Sequence, residues 1–244
     1  MPSAQPAAPT PPASARRVLI AGASGFIGRE LLDLLLADPT VAEVHALVRR
    51  PLPLRHERLH QHSVDFARLD DALPQLHADT AFCCLGTTIR VAGSQAAFRA
   101  VDQDAVLAFA ALARRAGVRH FLSVSAIGAS VSSPSFYSRV KGEVEQSLRD
   151  AGFPSLSLFQ PSLLLGARDE FRFGERVAQV LSVPFGPLMA GPLAPYRPIP
   201  GSVVAQAMAA AARQPAAGDG GDGGGDSSGA RVLTWRDMQR LAGS

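Results

Sequence analysis

Arg17-Val18-Leu19-Ile20-Ala21-Gly22-Ala23-Ser24-Gly25-Phe26-Ile27-Gly28 decides the fold. Val18, Leu19, Ile20 and Ala21 form a short continuous apolar run, the pattern of a buried strand, and it leads directly into glycines. Gly22, Gly25 and Gly28 stand three apart, followed by an apolar helix over about 29–37 that Pro39 stops. The first glycine of such a set permits a tight turn. The second lets backbone approach a pyrophosphate, and the third lets helix and strand pack closely. Ser24 lies inside the turn, and the N–H groups of Phe26 and Ile27 point from the helix N-terminus toward the phosphates. The stretch predicts a dinucleotide-binding strand–turn–helix.

The same alternation continues. Strands are predicted at about 44–48, 59–64, 80–85, 121–125 and 155–159. Helices are predicted at about 94–116, closed by Gly117, and 134–151, closed by Gly152. Strands separated by helices of this length give βαβ units, and right-handed crossovers make the product an α/β, Rossmann-like, doubly wound parallel sheet. Beyond Pro161 the pattern loosens into a small C-terminal substrate part over about 161–244. It holds a helix at about 171–181, a Pro/Gly-rich irregular loop at 183–200 and an alanine-rich helix at 203–213. A flexible Gly/Asp loop at about 216–229, a last strand at 231–234 and a closing helix at 235–241 complete it. Residues 1 to about 15 are Pro, Ala, Ser and Thr and read as a disordered tail, leaving 16–244 as a single domain.

Composition narrows the function. A hydrophobic content of 47% supports a real core. The net charge of +3 comes from scattered arginines, not from a basic block, which argues against a nucleic-acid partner. No apolar run approaches about 18 residues, so no membrane span is expected, and the N-terminus lacks the pattern of a secretory leader. Cys83 and Cys84 are adjacent and cannot staple distant segments. They read as alternating faces of a buried strand, with a vicinal redox pair as the alternative. A reducing, cytoplasmic setting fits. The six histidines lack ligand spacing apart from His60 and His62, which read as surface, so no metal site is expected.

The end of the second predicted strand selects the nucleotide. An acidic residue there would bind a ribose 2′-hydroxyl. Arg49 and Arg50 stand there instead, and arginine pairs bidentately with a 2′-phosphate, so NADP(H) is preferred with NAD(H) as the alternative. The bland reading is two exposed loop arginines. Asp65 and Phe66 end the third strand, where an adenine would sit. Leu85, Gly86, Thr87 and Thr88 follow the fourth, under the ribose and pyrophosphate.

Tyr137 is one of two tyrosines, and Lys141, four positions on, is the sole lysine in a chain that otherwise uses arginine. On a helix they share a face, one turn apart. A nearby ammonium favours the phenolate and lowers the tyrosine pKa from about 10, giving a proton donor or acceptor for a carbonyl/alcohol pair. Ser125 ends the fifth strand and can hold the carbonyl oxygen. Ser123 lies on the same side and is the rival.

Together these residues resemble the short-chain dehydrogenase/reductase superfamily, most of all its atypical branch of Tat-interactive-protein-like oxidoreductases. The matching pieces are Gly-Ala-Ser-Gly at 22–25, Val-Arg-Arg at 48–50, Val-Asp-Phe at 64–66, Phe-Cys-Cys-Leu-Gly-Thr-Thr at 82–88, His-Phe at 120–121 and Phe-Tyr-Ser-Arg-Val-Lys-Gly-Glu-Val-Glu at 136–145. The resemblance implies that Ser125, Tyr137 and Lys141 form the catalytic set, with Lys141 also contacting the nicotinamide ribose, and a small-molecule substrate. It also leaves room for a homodimer through the long helix and the Tyr137 helix. The chain departs in having no asparagine, which many members add for a proton relay; Asp102 lies in the region where extended members often carry it. An NADP(H)-dependent oxidoreductase is expected. A nucleotide-binding regulator with little turnover is the alternative, and a sugar-nucleotide epimerase ranks last because it needs a larger substrate domain. Phe171, Phe173, Phe185 and Met189 fit a substrate pocket or a small core equally well.

Overall fold

Apolar strand and amphipathic helix alternate from Arg16 onward, and each pair closes on the same sheet. The computed structural model describes residues 15–69, 73, 75–165, 197–214 and 230–244. Its elements are β1 (Arg16–Ala21), α1 (Phe26–Ala37), β2 (Val41–Val48), β3 (Leu59–Ser63), β4 (Thr80–Cys83), α2 (Ile89–Ala92) and α3 (Gln95–Arg99). A π-helical turn (Ala100–Asp104) leads into α4 (Ala105–Arg115). Then come β5 (His120–Val124), α5 (Phe136–Asp150), β6 (Ser155–Phe159), β7 (Leu164–Leu165), β8 (Ile199–Pro200), α6 (Gly201–Ala211), β9 (Ala230–Leu233) and α7 (Trp235–Ala242). The main sheet has seven strands in the order β3-β2-β1-β4-β5-β6-β9, and every pairing is parallel. It is the doubly wound, Rossmann-like α/β architecture.

Each face of the sheet carries its own core. Leu31, Leu32 and Leu35 of α1, Val204 and Met208 of α6, and Met238 of α7 pack on Val18, Ile20, Phe82 and Leu122. On the other face, Phe109 and Leu112 of α4 and Val144 and Leu148 of α5 pack on Leu19, Ala81, Phe121 and Leu156. Full burial of each large apolar side chain contributes about 1.5–3 kcal/mol, which is why the strands read as continuous apolar runs rather than alternating ones. The C-terminal helices are also tied by charge. Buried Asp38, just past α1, takes the guanidinium of Arg213 at 3.0 Å and of Arg16 at 3.4 Å, while Arg16 donates to Ala212 O at 2.6 Å.

Three local features differ from the sequence reading. Helix α1 starts at Phe26, so Gly28 lies inside it rather than before it. The long helix predicted over 94–116 is built from α3, the π turn and α4, with α2 added in front. The last residues of the predicted 183–200 loop form β8, which pairs with β7 in a separate two-stranded parallel ladder: Leu164 with Ile199, Leu165 with Pro200. The tail to residue 14, the helix at 171–181, most of the 183–200 loop and the loop at 216–229 lie outside the described residues.

Candidate functional site

The strand order reverses between β1 and β4, and open α/β sheets bind ligands at the carboxyl ends of the strands flanking such a point. A cavity of about 330 Å³ lies there. Gly22, Ser24 and Gly25 line it from the turn after β1, Arg49 from the end of β2, Asp65 and Phe66 from the end of β3, and Leu85 and Gly86 from the end of β4. A second cavity of about 930 Å³ adjoins it, sharing Ser24 and Arg49 and adding Arg50 and Arg29.

The glycines are where the backbone leaves no room. Gly22 has φ +84°, and a Cβ there would stand 2.5 Å from the carbonyl carbon of Cys84. Gly25 is the N-cap of α1 and brings no side-chain cap, so the first-turn N–H groups, including those of Phe26 and Ile27, stay open toward the cavity end of the helix. The Phe26 ring itself packs away, against Gly201. The Ile27 side chain joins the core.

The remaining predicted nucleotide residues divide. Asp65 Oδ1 accepts the N–H of Ala67 at 3.0 Å and so starts a short 3-10 turn at Phe66–Arg68. Thr88 caps α2 by accepting the N–H of Val91 at 3.2 Å and does not line the cavity. Thr87 donates its N–H to Asp102 Oδ2 at 2.7 Å.

That last contact leads to the residues predicted to be catalytic. Lys141, on α5, is buried, and its Nζ lies 2.7 Å from Asp102 Oδ1. The Asp102 side chain is 1% exposed. Gly86 rests against the pair: a Cβ on it would lie 3.5 Å from Asp102 Oδ1 and 3.9 Å from Lys141 Nζ. Burial pulls the Lys141 pKa down, but Asp102 and Tyr137 raise it further, leaving it above the ordinary lysine value. For Tyr137 the balance runs opposite to the sequence expectation. Burial pushes its pKa above the ordinary tyrosine value; Lys141 opposes this and Asp102 adds to it. The expected pull of the lysine is present but is smaller than the desolvation. The Tyr137 ring is held by Phe98, 5.6 Å away between centroids.

The two serines after Leu122 part company. Ser123 is paired in register with Cys83, whose thiol it hydrogen-bonds. Ser125, buried and just beyond β5, has a hydroxyl with no hydrogen-bond partner among the described residues. Its backbone is fixed by donation to Phe159 O at 2.7 Å. The loop after it is tied to α5 where Ser130 N–H donates to Ser138 O at 3.0 Å. Cys83 and Cys84 are both free thiols; burial pushes Cys83 up to about 11 and raises Cys84 as well, which makes neither a ready nucleophile.

Sequence reasoning missed several contributors. Ala100, Val101 and Ala105 bring the π turn and α4 into the cavity wall. The partnership of Asp102 with Lys141 was also unread, although a signal existed: Asp102 follows the buried Phe98 by four residues, so a carboxylate stands on the apolar stripe of a helix. His60 and His62, read as strand or loop surface, lie on the edge strand β3 with His60 exposed, and they meet His45 of β2. His45 stacks on His60 and His62 at 5.0 and 5.3 Å, and its Nδ1 lies 3.0 Å from His62 Nε2. Among the described residues no cluster of His, Cys, Asp or Glu is arranged to hold a metal ion, and no helix is long and apolar enough to cross a membrane.

Comparison with known proteins agrees with the fold and with a nicotinamide nucleotide as ligand. A family model described as NAD(P)H-binding matches residues 22–153. The rat protein HTATIP2 is 42% identical over 168 residues, covering 67% of this chain and 69% of that protein. The mitochondrial protein FMP52 of Coccidioides immitis is 32% identical over 179 residues, covering 66% of this chain and 71% of its own. Among solved structures, MoeE5 in complex with UDP-glucuronic acid and NAD superposes with a TM-score of 0.64 at 20% identity, over 89% of this chain and 75% of that one. A UDP-galactose 4-epimerase gives 0.61 at 15% identity, over 89% and 76%. These last two speak for the fold alone. The chain belongs to the NAD(P)H-binding family, with HTATIP2 and FMP52 among its relatives.

Proposed function

We propose that this chain is an NADP(H)-dependent oxidoreductase that transfers hydride to or from a small carbonyl or alcohol. The observation that carries this reading is Tyr137 and the ion-paired Lys141 on one face of α5, with Gly86 of the nucleotide cavity against the lysine. Gly22, Ser24 and Gly25, with the N–H groups of Phe26 and Ile27, would hold the pyrophosphate. Arg49 and Arg50 would take the 2′-phosphate, Asp65 and Phe66 the adenine, and Leu85 and Gly86 the ribose and pyrophosphate, with Lys141 on the nicotinamide ribose. The fit is supported by the open N–H groups of α1 and by the cavity that Gly22, Ser24 and Gly25 line in front of them.

Bound NADPH supplies the hydride. The residues of the chain handle the oxygen. Ser125, whose hydroxyl is otherwise unpartnered, donates a hydrogen bond to the substrate carbonyl oxygen. Tyr137 gives that oxygen its phenolic proton. Burial keeps the free phenol protonated, and the phenol regains acid strength only as far as Lys141 offsets that burial. A cytosolic setting is part of this proposal and fits the two free thiols, whereas the FMP52 relatives are named as mitochondrial.

The test is fluorescence titration with NADPH and NADH, followed by NADPH oxidation across aldehydes, ketones and quinones, in wild type and Tyr137→Phe. Turnover that Tyr137→Phe reduces by about a hundredfold or more supports the reading. Equal NADPH binding by both proteins with no turnover favours a nucleotide-binding regulator.

A further inference from the structure

We propose that Asp102 is the positioning residue of this site: its two carboxylate oxygens hold the Lys141 ammonium and the Thr87 backbone N–H, so that the catalytic helix and the loop after β4 move as one unit. The inference rests on the reading of Lys141 as part of the site.

Three observations converge on it. Each oxygen of Asp102 faces one partner at 2.7 Å: Oδ1 is ion-paired with Lys141 Nζ, and Oδ2 accepts a hydrogen bond from Thr87 N–H. The residue sits in the π-helical turn Ala100–Asp104, a departure from α-helix inside an otherwise regular 95–115 helical run, and such turns mark functional places. The pair is also dry, with the side chains 1% and 7% exposed. A buried ion pair is a poor source of stability, since apolar residues of similar size do as well there. Its presence at the sole lysine of the chain points to a task rather than to packing.

The task follows from charge. An ammonium buried as deeply as that of Lys141 tends to lose its proton, and Asp102 reverses this. At Tyr137 the pull of the ammonium still outweighs the push of the carboxylate, so Asp102 tempers Lys141 without cancelling it. An amide at 102 could still accept the Thr87 N–H, but only a carboxylate also balances the charge of the lysine.

A single lysine allows a direct test. Protein made with [¹³Cε]lysine gives one lysine signal, whose titration is followed by NMR in wild type and Asp102→Asn. In the wild type the signal stays put until the pH passes the ordinary lysine range. In Asp102→Asn its midpoint falls by about one pH unit or more. The same midpoint in both proteins overturns the proposal, because a merely structural Asp102 would not set the charge of Lys141. Hydrogen exchange of the Thr87 amide, measured in the wild type, is expected to be slow; rapid exchange also overturns the proposal, and this readout decides if Asp102→Asn does not fold. Neither measurement uses a substrate, so a chain that turns nothing over can pass both and an active enzyme can fail both.

Discussion

A Cβ on residue 28 would stand 2.1 Å from the carbonyl oxygen of Gly22, so the first turn of α1 lies directly on the turn that follows β1. Neither side of that contact can yield, because Gly22 is itself pressed against the Cys84 backbone. Gly28→Ala therefore has to push the helix off the strand. Overpacking of this kind typically destabilises by about 1–3 kcal/mol. Thermal melting should show the loss, and NADPH titration should show affinity weakened by about tenfold or more as the open N–H groups of α1 move.

Arg49 and Arg50 are both exposed at the mouth of the two cavities. If they hold a 2′-phosphate, Arg49→Ala/Arg50→Ala removes charge-assisted contacts that NADH never makes. NADPH affinity should drop by about tenfold or more while NADH changes less than about twofold. Parallel titrations with the two nucleotides check this; an equal loss for both would refute the assignment to the phosphate.

Phe98 is fully buried and touches both Phe136 and Tyr137, at 5.8 and 5.6 Å between ring centroids. Phe98→Ala should destabilise by about 3–5 kcal/mol through the cavity it leaves. Phe98→Leu keeps most of the volume and should cost less than about 1.5 kcal/mol. Its looser hold on Tyr137 should then appear in kcat with NADPH affinity retained, a split that steady-state kinetics and titration together resolve.

His120 is buried against Ser157, its Nε2 2.9 Å from the hydroxyl oxygen, and burial pushes its pKa down to about 4. The folded state thus binds this proton less readily than the unfolded chain, whose histidine titrates near 6.5. The neutral ring contributes its full stability above about pH 6.5, and that contribution falls as pH drops from 6.5 toward 4, by up to about 3 kcal/mol. His45 and His62, also lowered chiefly by burial, act in the same direction. Melting temperature measured from pH 4 to 7 should show the decline, and His120→Gln should flatten it.

Much of this was legible in the chain itself. Val18 to Ala21 ahead of three spaced glycines located β1, the turn and α1, since local pattern and backbone sterics act over adjacent residues. Tyr137 and Lys141 were legible because helical spacing puts them on one face. What escaped depends on contacts across the chain. The acidity of Tyr137 is set mainly by burial and partly by Asp102, neither of which the tyrosine's neighbours in sequence reveal. The two-residue strands β7 and β8 are too short to carry any periodicity, and the π turn is written in residues that also suit an α-helix.

The β7–β8 ladder has a consequence of its own. Leu164 and Ile199 are side by side, Ile199 N–H donates to Leu163 O at 2.9 Å, and α6 begins at once beyond β8 on the scaffold formed with α1. The chain therefore leaves the sheet and returns to it at one spot, like a bracket closed at its base. Closing such a bracket depends only weakly on the length inside it, about 0.6 kcal/mol per doubling. Whatever lies between Leu165 and Ile199 can be lengthened, shortened or exchanged for that of a relative without re-registering a strand of the main sheet.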